Sequence, residues 1–141
     1  MEVVASFSAI ANGGTLYQPQ IVQKIVDKEK NLLEEFEPKM IRENFIDSKN
    51  LQIVREGMRQ AVTGVNSPLA SAIELNSLPI PVAAKTGTAE LGGNSYNNWI
   101  TVFAPYDNPE IVLTIIIENV KGVQRAALPV AKRVLEWYFT R

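Results

Sequence analysis

The sequence predicts an α+β fold in which a three-stranded antiparallel sheet is packed by helices, with an additional β-hairpin. Two amphipathic stretches, one after Asp47 and one from about Arg125, carry apolar residues at helical spacing. Three strand-like stretches follow one another between residues 82 and 119, and their short connections favour antiparallel neighbours. With 141 residues, of which 46% are hydrophobic, the chain has the size of one domain and can bury a core.

The beginning of the chain predicts a helix followed by the hairpin. Residues 2–12 carry apolar side chains on one helical face, and Gly13 with Gly14 offers the left-handed conformation at which helices often end. Residues 15–27 and 32–41 have strand-like patterns and flank a polar turn. We therefore expect these two segments to pair.

The two later helices have predictable ends and apolar faces. Asp47 or Ser48 can cap the first of them. The residues expected to face the core in this helix are Leu51, Val54, Met58 and Ala61 or Val62. Pro129 fits the first turn of the last helix, where the backbone has no N–H partner to lose. The residues expected to be buried there are Ala127, Val130, Val134, Trp137 or Tyr138, and Phe139.

The stretch from residue 111 to residue 117 is apolar at nearly every position. This pattern is typical of a strand that is covered on both faces inside a wider sheet. At a sheet edge it would be a long hydrophobic strand that invites pairing or aggregation. We therefore expect strands from outside this chain to extend the sheet.

Composition and charge exclude several classes of function. A net charge of −1, without a block of like charges, predicts no nucleic-acid partner and no anionic membrane surface. The absence of cysteine and histidine excludes disulfides, thiol nucleophiles, histidine-based triads and the common zinc sites, and no cofactor or metal is expected. No apolar run reaches the ~20 residues that span a bilayer. Any chemistry must use Lys, Ser, Thr, Asp, Glu or Tyr.

One strand-like stretch, PVAAKTGTAE at residues 81–90, contains polar residues that a core strand does not need. A phosphate-binding loop requires glycine one and six positions before the lysine, but Ala84 and Pro79 stand there. Nucleotide binding at Lys85 is therefore excluded. The simplest alternative is a solvated edge strand, with a surface lysine, two β-favouring threonines and a bulge glycine.

Strand geometry indicates how a ligand would reach this stretch. Lys85 and Gly87 face one side of the strand, and Thr86 and Thr88 face the other. One ligand can contact both sets only along the edge of the strand, where an extended peptide also finds free backbone groups. Gly87 would let such a ligand approach the backbone closely.

Five segments carry a family resemblance: AIANGGTLYQPQIV, VREGMRQAV, VAAKTGTAEL, FAPYDNPEIVLTIIIEN and ALPVAKRVLEWYF. Their order resembles the C-terminal part of the transpeptidase domain of class B penicillin-binding proteins, over nearly the whole chain. The resemblance implies that residues 1–141 are a single partial domain, the C-terminal portion of a five-stranded transpeptidase fold. It also implies a D,D-transpeptidase that cross-links peptidoglycan through a serine ester, is acylated by β-lactams and acts outside the cytoplasm in a membrane-anchored parent protein.

The resemblance implies roles for the four residues of the KTGT motif. Lys85 would help to hold the charge and hydrogen-bond network around the nucleophile. Thr86 and Thr88 would bind the substrate carboxylate beside Gly87, and the Thr88 backbone N–H would be an oxyanion donor. Lys85 and Thr88 are thus the catalytic candidates, and all four residues are substrate-binding candidates. The implied partners are a peptidoglycan stem peptide, β-lactams and the upstream half of the same domain.

The family's nucleophile, the serine of SxxK, is missing from this sequence. The serines are Ser6, Ser8, Ser48, Ser67, Ser71, Ser77 and Ser95, and none has a lysine three residues later. The SxN pattern begins at Ser48 and at Ser95, but both follow the helix that SxN precedes in the family. We therefore expect this chain alone to be inactive. One alternative is a non-catalytic, truncated relative that binds peptides or a partner along the sheet edge or associates with itself there. Another is a β-lactam sensor or β-lactamase of the same fold, which would need the same missing serine.

Overall fold

The computed structural model describes residues 1–66, 69–122 and 125–141. Its elements in chain order are α1 (Glu2–Ala11), β1 (Leu16–Tyr17), β2 (Lys24–Val26), β3 (Leu32–Glu35), β4 (Met40–Arg42), α2 (Ser48–Thr63), a 3₁₀ turn (Ile73–Ser77), β5 (Ala83–Gly92), β6 (Ser95–Ala104), β7 (Ile111–Lys121) and α3 (Ala127–Thr140). Strands β5, β6 and β7 form an antiparallel sheet in that order. The predicted α+β fold is confirmed.

The predicted hairpin is present as a two-stranded ribbon, residues 16–42, in two segments. Strand β1 pairs with β4 and β2 pairs with β3, both antiparallel. The polar turn at its tip is held by Asp27, whose carboxylate accepts hydrogen bonds from Asn31 Nδ2 at 2.9 Å and Asn31 N at 2.8 Å. These bonds, first the one from the Asn31 side chain, lower the pKa of Asp27.

The ends of α1 and α2 follow the predicted capping chemistry. Gly13 and Gly14 have φ of 90° and 107°, and Gly14 N donates to the Ala9 carbonyl at 2.7 Å, which ends α1. At the start of α2 the Asp47 carboxylate accepts from the backbone N–H of the second and third helical residues, at 2.9 and 3.2 Å. Asp47 is therefore the cap, and Ser48 is the first residue of the helix.

Helix α2 buries Leu51, Met58 and Val62 as expected, but Val54 is 46% exposed. The neighbouring Arg55 turns inward instead. Its guanidinium donates to the carbonyls of Ile10 and Ala11, which end α1, and to the Tyr106 carbonyl at 2.8 Å. Arg55 thereby joins α1, α2 and the turn after β6, and it takes the inward position that the apolar pattern assigned to Val54.

The sheet is covered on both faces, so the central strand β6 is the best-buried one. One face packs against the end of α2, the 3₁₀ turn and α3, in a cluster that includes Val62, Leu75, Val82, Ile100, Val102, Leu128 and Leu135. The other face packs against α1 and α2 through Ala11, Met58, Ala83 and Phe103. Strand β5, which contains the KTGT motif, is thus held in place by packing on both faces of the sheet.

The buried face of α3 differs from the predicted one. Ala127, Leu128, Ala131 and Leu135 are buried, whereas Val130 is exposed and Trp137 is 62% exposed. Helical spacing sets the period of the apolar residues but not the rotation of the helix, and α3 is apolar on more than one side. The burial of Trp137 was therefore a wrong prediction, while Phe139 does pack against the core.

Strand β7 lies at the outer edge of the sheet and, in the described part of the chain, pairs only with β6. None of its residues is fully buried. Its apolar side chains nevertheless occupy both faces: Ile111, Leu113, Ile115 and Ile117 pack on the α3 side, and Val112 packs on the α1 side. The expected wider sheet remains a prediction.

Candidate functional site

The KTGT residues lie in the middle of β5, which forms the other edge of the sheet. Lys85 stands opposite Thr101, Gly87 opposite Trp99 and Thr88 opposite Asn98. Within the described ranges β5 has no neighbour besides β6. The predicted position of the motif on an edge strand is therefore correct.

Hydrogen bonds at the start of β5 establish which backbone groups face outward. The Pro81 carbonyl accepts from Tyr106 N at 2.7 Å, on the β6 side. The next carbonyl, that of Val82, accepts from the Arg59 guanidinium at 2.7 Å, on the opposite side. Because backbone direction alternates along an antiparallel strand, odd-numbered residues of β5 bond to β6 and even-numbered residues point away.

This alternation continues through the motif because the β5–β6 register is unbroken from Ala83 to Glu90. The Thr86 carbonyl follows the rule, since it accepts from Lys85 Nζ at 2.5 Å instead of from a neighbouring strand. The backbone N–H of Thr88 likewise points away from β6. The free edge therefore presents the N–H and C=O of Thr86 and Thr88 together with the exposed amino group of Lys85.

Lys85 and Gly87 share the α1 side of β5, as predicted. They line an open cavity of about 210 Å³ with Val3, Phe7 and Trp99 among the other lining residues. A methyl group on Gly87 would lie 3.4 Å from the Trp99 Cβ, at the inner limit of ordinary contact. Gly87 therefore allows Trp99 to pack across the strand, and because the register is continuous there the bulge alternative is wrong.

Thr86 and Thr88 share the opposite side of β5 and line a second cavity of about 190 Å³, hereafter the threonine cavity. Thr86 Oγ1 donates to Ser71 Oγ at 2.7 Å, so the loop before the 3₁₀ turn fixes the Thr86 hydroxyl. Asn98 and Arg125 also line this cavity, next to the first residues of α3. The arrangement offers hydroxyl, amide and guanidinium groups to a polar ligand.

Sequence reasoning missed Ser71, Asn98 and Arg59. Asn98 depends on the exact hairpin register, because residues 93 and 94 form the tip and a register shift between Glu90 and Gly92 brings Asn98 opposite Thr88. The strand-like pattern NWITVFAPY predicts a start at residue 98, three residues after the strand itself begins. No pattern in the sequence pointed to Ser71 or Arg59, which reach β5 from a loop and from a helix.

The two SxN patterns do not reach the motif. Ser48 begins α2, and Ser95 lies at the far end of the β5–β6 hairpin, opposite Gly92. Ser67 lies outside the described residues. Across the described ranges no three His, Cys, Asp or Glu side chains gather into a possible metal site, and none of the helices there is long and apolar enough to cross a membrane.

Comparison with known proteins finds peptidoglycan D,D-transpeptidases and penicillin-binding proteins among the relatives. The peptidoglycan D,D-transpeptidase MrdA of Haemophilus influenzae is 27% identical over 158 aligned positions, which cover 100% of this chain and 24% of the relative. Penicillin-binding protein 2B of Streptococcus pneumoniae superposes with a TM-score of 0.85 at 22% identity, covering 98% of this chain and 24% of that one. Penicillin-binding protein 3 of Mycobacterium tuberculosis, complexed with ampicillin, superposes with a TM-score of 0.79 at 24% identity, covering 99% of this chain and 34% of that one.

The chain spans about a quarter of the length of MrdA and of penicillin-binding protein 2B. The family model for the penicillin-binding protein transpeptidase domain matches residues 1–136, which is nearly all of the chain. The fold, the family match and these relatives agree with the resemblance found in the sequence. The chain therefore belongs to the penicillin-binding protein transpeptidase domain family, in its class B branch.

Proposed function

We propose that residues 1–141 are the C-terminal portion of a D,D-transpeptidase domain and supply the KTGT strand of its acyl-transfer site. The observation that supports this most is the free edge of β5, where the outward N–H of Thr88 lies near the exposed amino group of Lys85. A D,D-transpeptidase acts on a peptide, and an extended peptide can pair with such an edge.

The reaction needs a serine from outside these 141 residues. Its Oγ forms a bond to the carbonyl carbon of the penultimate residue of a stem peptide, and the C–N bond to the last residue breaks. The departing amine takes up the proton that the serine loses. The amine of a second peptide then displaces the serine, which forms the cross-link and regenerates the hydroxyl.

The four motif residues have different roles because their side chains and backbone groups point in different directions. The Thr88 N–H donates to the oxyanion that develops on the attacked carbonyl, and such a donor typically contributes ~3 kcal/mol. Lys85 supplies positive charge and hydrogen bonds at the nucleophile. The Thr88 hydroxyl donates to the peptide carboxylate, and the Thr86 hydroxyl does so when its proton turns from Ser71 Oγ to the ligand, while Gly87 leaves space beside Trp99.

The proposed partners follow from the proposal that residues 1–141 form only the C-terminal portion of the domain. The upstream half of the same domain carries the serine and completes the sheet beside β7. β-lactams acylate that serine as substrate mimics, in keeping with the ampicillin complex of penicillin-binding protein 3. The stem peptide places the reaction outside the cytoplasm.

Intact mass after incubation with a labelled penicillin tests the proposal. The measurement is made on this chain alone and on this chain co-expressed with the upstream half of its parent gene. We expect an adduct on the upstream half, formed only when residues 1–141 are present. An adduct on this chain alone, or an upstream half that is acylated equally well without it, would contradict the proposal.

A second candidate is a non-catalytic module that associates through β7. It is favoured by one observation, namely that an eleven-residue strand with apolar side chains on both faces lies at an edge of the described sheet. The solution mass of the chain separates the two candidates. A stable dimer that the Ile116→Lys substitution dissociates favours the module, whereas a monomer excludes self-association.

A further inference from the structure

The threonine cavity contains a buried hydrogen-bond donor without a partner. Asn98 is 1% exposed, and its Nδ2 has no acceptor among the described residues. Leaving such a group unpaired is costly, so a buried amide normally finds a protein, water or ligand partner. Asn98 is among the residues that line the cavity, and its Nδ2 is the buried polar atom there that still needs an acceptor.

The orientation of the Asn98 amide is set by α3. Asn98 Oδ1 accepts from Ala126 N at 2.7 Å, just before the first turn of that helix. A flipped amide would bring Nδ2 against the Ala126 N–H, donor against donor. Nδ2 must therefore be the atom that is left to interact elsewhere.

Asn98 is also the closest cross-strand neighbour of Thr88. The two residues are directly opposite, and because even-numbered residues of β5 do not bond to β6, they form the type of pair in which side chains approach most closely. Both side chains face α3. A group bound by the Thr88 hydroxyl thus lies within reach of the Asn98 amide.

The described lining of the cavity offers donors and positive charge but no acidic side chain. Ser71 accepts a hydrogen bond from Thr86 and keeps its own proton to donate, and Arg125 brings a guanidinium. A volume of about 190 Å³ is several times the ~30 Å³ that one water occupies in the liquid. The cavity therefore suits an anionic acceptor such as a carboxylate.

We infer that Asn98 is a substrate-specificity residue whose Nδ2 donates to the terminal carboxylate of the peptide, beside the Thr86 and Thr88 hydroxyls and with Arg125 as the counter-charge. This inference rests on the proposed function and adds a donor from β6 to the KTGT strand. It explains why a polar residue is buried at the centre of the sheet. It also gives Asn98 two tasks, since Oδ1 holds the start of α3 and Nδ2 binds the ligand.

The test compares acylation by a labelled penicillin with acylation by its carboxylate methyl ester, using this chain co-expressed with the upstream half. The Asn98→Asp substitution keeps the acceptor for Ala126 N and replaces only the donor by a second oxygen. At about pH 8, which is well above the ordinary pKa of an aspartate carboxyl, we expect the acid-to-ester ratio of acylation rates to fall about tenfold or more. A residue with only a structural role would slow both compounds equally.

Asn97→Asp is the matched control. It introduces the same charge one residue away, on the other face of the β5–β6 ladder, and keeps the Oδ1 that accepts from Asn119 N at 3.0 Å. Its acid-to-ester ratio should stay at the wild-type value. An unchanged ratio in Asn98→Asp, or an equal fall in both variants, would overturn the inference.

If no protein in this series is acylated, the proposed function fails and the inference is decided on this chain by NMR. N-acetyl-D-alanyl-D-alanine should shift the side-chain NH₂ signals of Asn98 and leave those of Asn97 in place, whereas the C-terminal amide of the same peptide should shift neither. Absence of a shift with the free acid would mean that water alone fills the cavity, and the inference would be wrong.

Discussion

The two outer strands of the sheet, β5 and β7, differ in almost every respect except length. β5 is polar along its centre, and the outward carbonyl of Val82, just before the strand begins, is bonded by Arg59, whereas no strand pairs with the outer side of the motif in the described part of the chain. β7 carries apolar side chains on both faces and, in the described part of the chain, nothing covers its outer side. β5 therefore resembles an edge strand that binds a ligand, and it is called the ligand edge below. β7 resembles a strand from the interior of a sheet.

The difference indicates what keeps an edge strand available for binding. A lysine and a glycine make β5 a poor template for unintended pairing, while its backbone stays accessible. The stretch of β7 from residue 111 to residue 117 has neither a charged residue nor a glycine, and it gains stability from any strand that covers it. Changes in β5 should therefore affect acylation, and changes in β7 should affect stability.

The largest expected effect follows from removing the lysine of the ligand edge. Lys85→Ala should lower penicillin acylation of the co-expressed protein about a hundredfold or more, because a charge next to the reacting groups is lost. The free energy of unfolding should change by less than about 0.5 kcal/mol, since the Lys85 side chain is exposed. Acylation kinetics and urea unfolding measure the two quantities.

Lys121→Ala is the matched control, because it removes an exposed lysine from the end of the other edge strand. It should leave acylation at the wild-type rate. Equal losses in the two variants would mean that overall charge, and not the position of Lys85, controls acylation, and the contrast between the edges would disappear.

The sequence predicted the helices and strands better than it predicted how each helix is rotated about its axis and which residues distant in the sequence are in contact. Asp47 as a cap and the alternation of Lys85 and Thr86 depend on local chemistry and on strand period, so they could be derived. The exposure of Trp137 and the inward turn of Arg55 could not, because they depend on which of several apolar faces meets the sheet. Asn98 required the exact hairpin register, which the sequence leaves open.

The second effect concerns the packing of β7. Leu113 is half-buried against the α3 side of the core, and Leu113→Ala should lower the free energy of unfolding by about 2 kcal/mol. Leu91→Ala, at an exposed position near the end of β5, should change it by less than about 0.5 kcal/mol. Urea unfolding compares the two, and equal losses would contradict the structural role assigned to β7.

A smaller effect separates two hydroxyl pairs, one at each edge. Thr86 donates to Ser71 at 2.7 Å, and Thr101 and Thr114 share a hydrogen bond of 3.0 Å between β6 and β7. Thr86→Val and Thr114→Val should each lower stability by about 1 kcal/mol. Only Thr86→Val should also slow acylation. Slower acylation in Thr114→Val would contradict the assignment of ligand binding to the edge at β5 instead of the edge at β7.

The smallest effect concerns the two-stranded ribbon, which lies away from both edges of the sheet. It shows whether acylation depends on the ribbon. Hydrogen bonds from Asn31 lower the pKa of Asp27, so their stabilisation is present above the unfolded pKa and is lost as the pH falls through the folded pKa. Asn31→Ala should raise the pKa of Asp27 towards its ordinary value in an NMR titration. Acylation should not change, and an altered acylation rate would tie the ribbon to the ligand edge.

Amide hydrogen exchange of the co-expressed protein, before and after penicillin acylation, tests the central claim most directly. The outward N–H of Thr88 should exchange fast in the free protein and slow down in the acylated one, because it then donates to the bound carbonyl oxygen. The N–H groups of Lys85 and Gly87, which already bond to β6, should change little. Slowing along β7 with no change at Thr88 would contradict the assignment of β5 as the ligand edge.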